Sequence, residues 1–221
     1  MTGLPQAVLF DLDGTLIDSA PDLAGAANDM REARALDRLP LEHFRPMVGS
    51  GARGMVSKAL GVSPEDDQFI ALRDEFLQRY EARMTRETRV FADMQRVLDA
   101  LTARRLPWGI VTNKATRFSA PLVAALGLNA ASATLVCGDT TPHTKPHPAP
   151  LLEAARRMNL PAERCWYVGD DHRDMKAGHA AGMTTVAVAW GYLGEGEPIS
   201  AWGAHHVIAA PGDLLKLLAI S

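Results

Sequence analysis

The chain has 221 residues, a formal net charge of −3, and 47% hydrophobic against 22% charged residues. That length holds one domain of roughly 150 residues and a smaller one beside it. The mildly acidic balance gives no ground for a nucleic-acid or anionic-membrane partner, and no apolar run reaches the roughly 18 residues of a bilayer span.

The first element is Ala7-Val8-Leu9-Phe10, an apolar run of strand type that ends in Asp11-Leu12-Asp13-Gly14-Thr15. From about Pro21 to Met84 no strand pattern follows. Ser19-Ala20-Pro21-Asp22 has the form of a capping box with Pro in the first turn, and Leu23, Ala26, Ala27, Met30 and Ala33 then recur at helical spacing. A Gly-rich link, Val48 to Gly54, precedes a second helix start at Ser63-Pro64-Glu65-Asp66, with Phe69, Leu72, Phe76, Tyr80 and Met84 on one face.

Beyond this stretch the pattern alternates. Helices are predicted over Ala92–Arg104, Ala115–Leu126, Ala149–Met158, Asp174–Ala181 and Gly212–Ala219. Strands are predicted over Trp108–Thr112, Thr134–Cys137, Cys165–Val168, Thr185–Ala189 and His206–Ile208, with a surface loop near Gly191–Gly196. Several runs are continuously apolar, as in strands buried on both faces of a parallel sheet. The expected fold class is α/β, a doubly wound parallel-sheet core at residues 1–18 and 86–221 with an all-helical insert at 19–85. Cys137 and Cys165 lie inside apolar runs and read as buried free thiols. The opening Met1-Thr2-Gly3-Leu4-Pro5 lacks a signal-peptide profile, so the expected address is the cytoplasm.

In open α/β sheets ligands bind at the carboxyl ends of the strands. The polar residues collected there are Asp11 and Asp13, then Thr112-Asn113-Lys114, then Gly169-Asp170-Asp171 with Asp174, and Lys145 in the loop Thr144 to Pro148. Clustered carboxylates need a cation, and hard oxygen donors favour Mg²⁺. A lysine and a hydroxyl beside that cation make a receptor for a phosphoryl group. One carboxylate can then attack phosphorus, and a second can move the proton of the leaving oxygen and of the incoming water.

Asp11-x-Asp13-Gly14-Thr15, Thr112, Lys145 and Gly169-Asp170 with Asp174 resemble the four ordered motifs of the haloacid dehalogenase-like (HAD) hydrolases, over essentially the whole chain. The resemblance implies a Rossmann-like core with a helical cap between the first two motifs. It implies Asp11 as nucleophile, Asp13 as acid and base, and Thr112, Asn113 and Lys145 as phosphate ligands. Mg²⁺ would be held by Asp11, the Asp13 carbonyl and Asp170, with Asp171 and Asp174 as further ligands or supports. "LFDLDGTLIDSAPD", "VTNK" and "YVGDDHRDMKAGHAAGM" are similar to the bacterial phosphoglycolate phosphatase group. "GARGMV", "WGIVTNKATRF" and the late "WGA" are similar to N-acetylmuramic acid 6-phosphate phosphatases. The implied partner is a small phosphorylated metabolite, with the chain a monomer or small homo-oligomer.

Other readings of the same residues are weaker. An EF-hand fails, because Thr15 and Leu16 stand where a third acid and the loop glycine belong. A haloacid dehalogenase needs neither the metal nor the second acid, whereas a phosphomutase of this fold keeps every motif. Arg53, after the Gly-rich link, is a candidate for a substrate carboxylate, as is Arg117; His172 is a candidate support beside the acidic pair.

Overall fold

The computed structural model describes residues 4–194 and 196–220. Two compact units divide the chain, one running up to Ile17 and from Val90 onward, the other Asp18–Arg89. The elements open with β1 (Ala7–Phe10) and β2 (Ile17–Asp18), followed by α1 (Ala20–Glu32), α2 (Leu41–Phe44), α3 (Gly51–Leu60) and α4 (Phe69–Glu81). Then come β3 (Arg89–Val90), α5 (Met94–Ala103), β4 (Trp108–Val111), α6 (Thr116–Ala125), β5 (Leu135–Val136) and α7 (Ala149–Arg157). The chain closes with β6 (Cys165–Gly169), α8 (His172–Ala180), β7 (Thr184–Val188), β8 (His206–Ile208) and α9 (Pro211–Leu217).

Six strands form one parallel sheet in the order β5-β4-β1-β6-β7-β8. Counted along the chain this is 3-2-1-4-5-6, the doubly wound order, whose switch point lies between β1 and β6. Register sets the carboxyl ends level: Phe10 pairs with Ile110 on one side and Val168 on the other. The Asp11 N–H continues the ladder to the Val168 carbonyl at 2.9 Å. The residues immediately after β1, β4 and β6 are therefore neighbours.

Every residue of β1, β4, β6 and β7 is buried, which is why those runs are apolar without alternation. Leu151, Ala154 and Ala155 of α7 close over Leu9, Val111, Val136 and Tyr167, each large side chain contributing about 1.5–3 kcal/mol of burial. β5 is two residues long, shorter than the four-residue run predicted there: Leu135 and Val136 pair with β4, and Thr134 contributes only its carbonyl, which accepts from Ile110 N at 2.9 Å.

The helical unit corrects three local expectations. Ser19 is helical (φ −97°, ψ −3°) and makes no side-chain cap bond, so there is no capping box. Asp22 is instead fully buried, and its Oδ2 accepts from Glu87 N, Thr88 N and Thr88 Oγ1 at 2.8–2.9 Å, tying the start of α1 to the end of the insert. The Gly-rich stretch is not a link: residues Arg45–Ser50 form a 3₁₀ turn and α3 begins at Gly51. Asp66 turns back to the Ser63 N–H at 2.9 Å, which closes a separate turn and delays α4 to Phe69. Gly25, mid-way along α1, has its own reason. A Cβ there would lie 2.0 Å from Cζ of Arg83, whose guanidinium lies against the helix and binds Asp29 at 2.8 Å.

Candidate active site

Asp11 follows β1, and Asp170 follows β6, on the two sides of the switch point. Asp11, Asp170 and Asp174 bring carboxylate oxygens within 4.8 Å of one another. Asp170 is held at both oxygens: Thr15 Oγ1 donates to Oδ1 and the Tyr192 N–H to Oδ2, each at 2.7 Å. Two glycines make room for it. A Cβ on Gly14, whose φ is +87°, would sit 2.0 Å from Asp170 Oδ2, and one on Gly191 would sit 2.2 Å from Asp170 Cβ. The Trp190 indole N–H donates to the Thr15 carbonyl at 3.2 Å, tying the loop after β7 to the turn after β1.

Lys145 enters this cluster buried, with its Nζ 2.8 Å from both Asp11 Oδ1 and Asp174 Oδ1. It also donates to the Tyr167 hydroxyl at 2.8 Å and the Val111 carbonyl at 3.2 Å. Tyr167 donates in turn to Val111 O at 2.9 Å. The Asn113 side chain clips the lysine's backbone at both ends, accepting from Lys145 N and donating to Lys145 O at 2.9 Å each. Its amide thus serves the lysine's loop. Thr112, at the end of β4, is buried and its Oγ1 accepts from Lys114 N at 3.1 Å.

Four other candidates, Asp171, His172, Arg117 and Arg53, are engaged elsewhere. Asp171 caps α8: one oxygen accepts from Arg173 N, and both accept from the Arg173 guanidinium at 2.7–2.8 Å. Burial pushes its carboxyl up, but the hydrogen bonds and charge of Arg173 together outweigh burial and hold it below the usual range. Asp174 completes the capping box by accepting from Asp171 N at 3.1 Å, which leaves its other oxygen for Lys145. His172 stacks near Trp202, and Arg117 lies over the Phe118 ring. Arg53 belongs to the helical unit, where it is exposed and ion-paired with Glu65 at 3.3 Å.

The electrostatics leave the cluster short of positive charge. Burial pushes Asp11 up to about 7 against the pull of Lys145, and Asp174 and Asp13 push the same way. Burial, then the charges of Asp11 and Asp174, push Asp170 well above the carboxylate range despite the donors from Tyr192 and Thr15. Burial disfavours the Lys145 charge, but Asp11 and Asp174 outweigh it and hold the ammonium above its usual value. Asp11 Oδ1 meets Lys145 as a buried ion pair at 2.8 Å. Three carboxylates against one ammonium make an all-oxygen set that fits a hard divalent cation, with Asp11 and Asp170 as the groups that would hold it.

The family model for the haloacid dehalogenase-like hydrolases matches residues 8–188. The chain belongs to this family. It is 43% identical to a phosphoglycolate phosphatase of Xanthomonas campestris pv. campestris over 95% of both chains. It is 40% identical to an N-acetylmuramic acid 6-phosphate phosphatase of Pseudomonas putida over 96% of both. Among solved structures, a predicted phosphoglycolate phosphatase from Haemophilus somnus superposes with a TM-score of 0.84 at 28% identity, covering 97% of this chain and 99% of that one. As a haloacid dehalogenase-like hydrolase with phosphatase relatives over nearly its whole length, the chain is a phosphoric monoester hydrolase.

Four residues of this hydrolase carry contacts that sequence reasoning did not assign: Thr15 and Tyr192 on Asp170, Tyr167 under Lys145, and Lys114. Lys114 Nζ donates to both carboxylate oxygens of Asp13, at 3.0 and 3.1 Å. Tyr167 had one available signal, since a tyrosine inside a wholly buried strand needs a partner for its hydroxyl.

Proposed function

We propose that this chain is a Mg²⁺-dependent phosphatase that cleaves a small carboxylate-bearing phosphate monoester through an aspartyl phosphate on Asp11, with 2-phosphoglycolate as the substrate. The observation that carries the reading is the buried Lys145–Asp11 pair at the switch point, with Nζ 2.8 Å from Asp11 Oδ1. A carboxylate taken out of water beside a fixed cation meets the condition for a nucleophile.

Asp11, Asp170 and the backbone carbonyl of Asp13 are assigned to the cation. When bound, Mg²⁺ supplies charge neutralisation that lets Asp11 approach a phosphate dianion. Lys145 draws one phosphoryl oxygen. Thr112 supports another: its hydroxyl oxygen already accepts from Lys114 N, so its proton is left to donate. Asp11 attacks phosphorus while Asp13 gives a proton to the departing alkoxide. Asp13 then takes a proton from water as that water attacks phosphorus and frees Asp11. Asn113 and Tyr167 keep Lys145 in place through its backbone and its ammonium. A reducing, cytoplasmic setting goes with this reading, since Cys137 and Cys165 are both free and buried.

N-acetylmuramic acid 6-phosphate is the second reading, favoured by the P. putida relative's name and near-complete coverage. Both esters carry a carboxylate, so kcat/KM for each must be measured side by side. A preference of at least tenfold for 2-phosphoglycolate supports the first reading. The reverse preference selects the second, and slow turnover of both rejects the substrate class.

A further inference from the structure

Lys114 has no task in the chemistry above, yet its placement is among the most constrained in the site. Its N–H is bonded to Thr112 Oγ1 at 3.1 Å, and its carbonyl accepts from Ser119 Oγ at 3.1 Å and Gly138 N at 2.9 Å. Gly138 is what permits that approach, because a Cβ there would fall 2.2 Å from the Asn113 carbonyl oxygen. From this fixed turn the side chain reaches Asp13 with only 12% of its surface exposed, and Asp13 itself is 16% exposed. A lysine usually loses about 1.5–2 kcal/mol of rotamer freedom on being fixed. Here that cost is met by a two-point contact with a partly buried carboxylate, the kind of charge-assisted pair that retains energy away from bulk water. Asp13's carboxylate, held this way, is not part of the Asp11, Asp170 and Asp174 cluster two residues away.

We propose that Lys114 is a positioning residue for Asp13, fixing the direction from which that carboxyl group delivers and collects its proton. The proposal rests on the acid–base role given to Asp13 in the preceding section. A carboxyl group has two oxygens, and the task uses one. In the first half-reaction that oxygen gives its proton to the alkoxide as the P–O bond to the leaving group breaks and the bond from Asp11 to phosphorus forms. In the second half it takes a proton from water as the water–phosphorus bond forms and the Asp11–phosphorus bond breaks. The lysine meets both oxygens in the structure and can keep its contact with one while the other carries the proton. Lys114 transfers no proton and touches no reacting atom. A residue fixed by three backbone bonds is suited to this, since its own movement would misdirect Asp13.

The test compares D13N, K114M, K114R and the double variant D13N/K114M in the Mg²⁺-loaded enzyme, using p-nitrophenyl phosphate and 2-phosphoglycolate. Misplacing an acid–base group typically costs on the order of 10²-fold. K114M should therefore lose about that much in kcat on 2-phosphoglycolate, with KM changed less than about threefold, and K114R should recover part of the loss. With p-nitrophenyl phosphate the leaving phenolate needs no proton, so forming the phosphoenzyme is spared while its hydrolysis is not. Rapid mixing should then show a burst of about one p-nitrophenolate per active site, followed by slow turnover, in both K114M and D13N. Adding K114M to D13N should cost almost nothing further.

A merely structural lysine gives a different pattern: no burst, additive losses in the double variant and a lowered thermal midpoint. That pattern overturns the proposal, as does a K114M defect confined to KM. Should K114M fail to fold, K114R and K114Q carry the same burst measurement. A D13N enzyme with wild-type turnover overturns the acid–base reading and this proposal together. D13N inactivity with additive K114M losses overturns the proposal alone.

Discussion

Asp11→Asn should abolish turnover and, in the absence of metal, make the protein more stable. The carboxyl of Asp11 moves from 3.8 to about 7 on folding, chiefly because burial disfavours its charge. For an acid shifted upward, the penalty is absent below the unfolded value and fully present above the folded one. Stability contributed at this site therefore falls as pH rises from about 4 to about 7. The full difference corresponds to on the order of 4 kcal/mol above pH 7, at about 1.4 kcal/mol per tenfold. An asparagine of the same shape escapes that penalty, a net figure in which the attraction of Lys145 is already included. The gain at about pH 8 is then on the order of 4 kcal/mol, or a rise of roughly 8–16 °C in the midpoint of a chain this size. Thermal unfolding by circular dichroism in EDTA, at about pH 8 and about pH 5, reads both quantities. The gain should shrink by more than half at the lower pH, where the wild-type carboxyl holds its proton. An Asp11→Asn protein less stable than wild type at pH 8, or a gap independent of pH, refutes the electrostatic account.

Gly14→Ala should lower both stability and Mg²⁺ affinity, because the new Cβ meets Asp170 Oδ2 at 2.0 Å from a backbone at φ +87°. Calorimetric Mg²⁺ titration checks it, and wild-type affinity contradicts the placement of Asp170. Tyr167→Phe removes a hydroxyl that bonds both Lys145 and the Val111 carbonyl, and should cost about 1–3 kcal/mol in urea unfolding with little change in volume. A loss below about 0.5 kcal/mol means the lysine does not depend on it. Burial first, then the nearby Glu163 charge, push the Cys165 thiol up to about 11, and burial raises Cys137 as well. Both should resist a thiol reagent at neutral pH in the native protein and react at once in guanidinium; rapid native labelling of either contradicts their burial.

The sheet was readable because buried parallel strands announce themselves as continuous apolar runs, and the acids that matter follow them directly. The sequence pattern alone gathers Asp11, Lys145, Asp170 and Asp174 on one rim, since strand ends at a switch point must lie together. What sequence could not supply was the pairing within the rim. Tyr167 reads as one more apolar-run residue, and only the register of β6 beside β1 and the path of the Lys145 loop bring its hydroxyl under the ammonium. Lys114 lies 101 residues from Asp13 along the chain, so no local pattern links them. Local motifs also misled where tertiary contacts offered more. Ser19 and Asp22 have the letters of a capping box, but Asp22 gains three donors from the far end of the insert and Ser19 makes no side-chain cap bond. The capping box that does form, Asp171 with Asp174, has acids at both positions and shares one of them with Lys145.

The central claim is that Asp11 itself becomes phosphorylated. Acid quench of the Mg²⁺-loaded enzyme during turnover of a ³²P-labelled phosphate monoester, followed by peptide mapping, tests it directly. The account predicts hydroxylamine-labile label on the peptide that carries Asp11, and none in Asp11→Asn. Label on another residue, or steady turnover by Asp11→Asn, would contradict it.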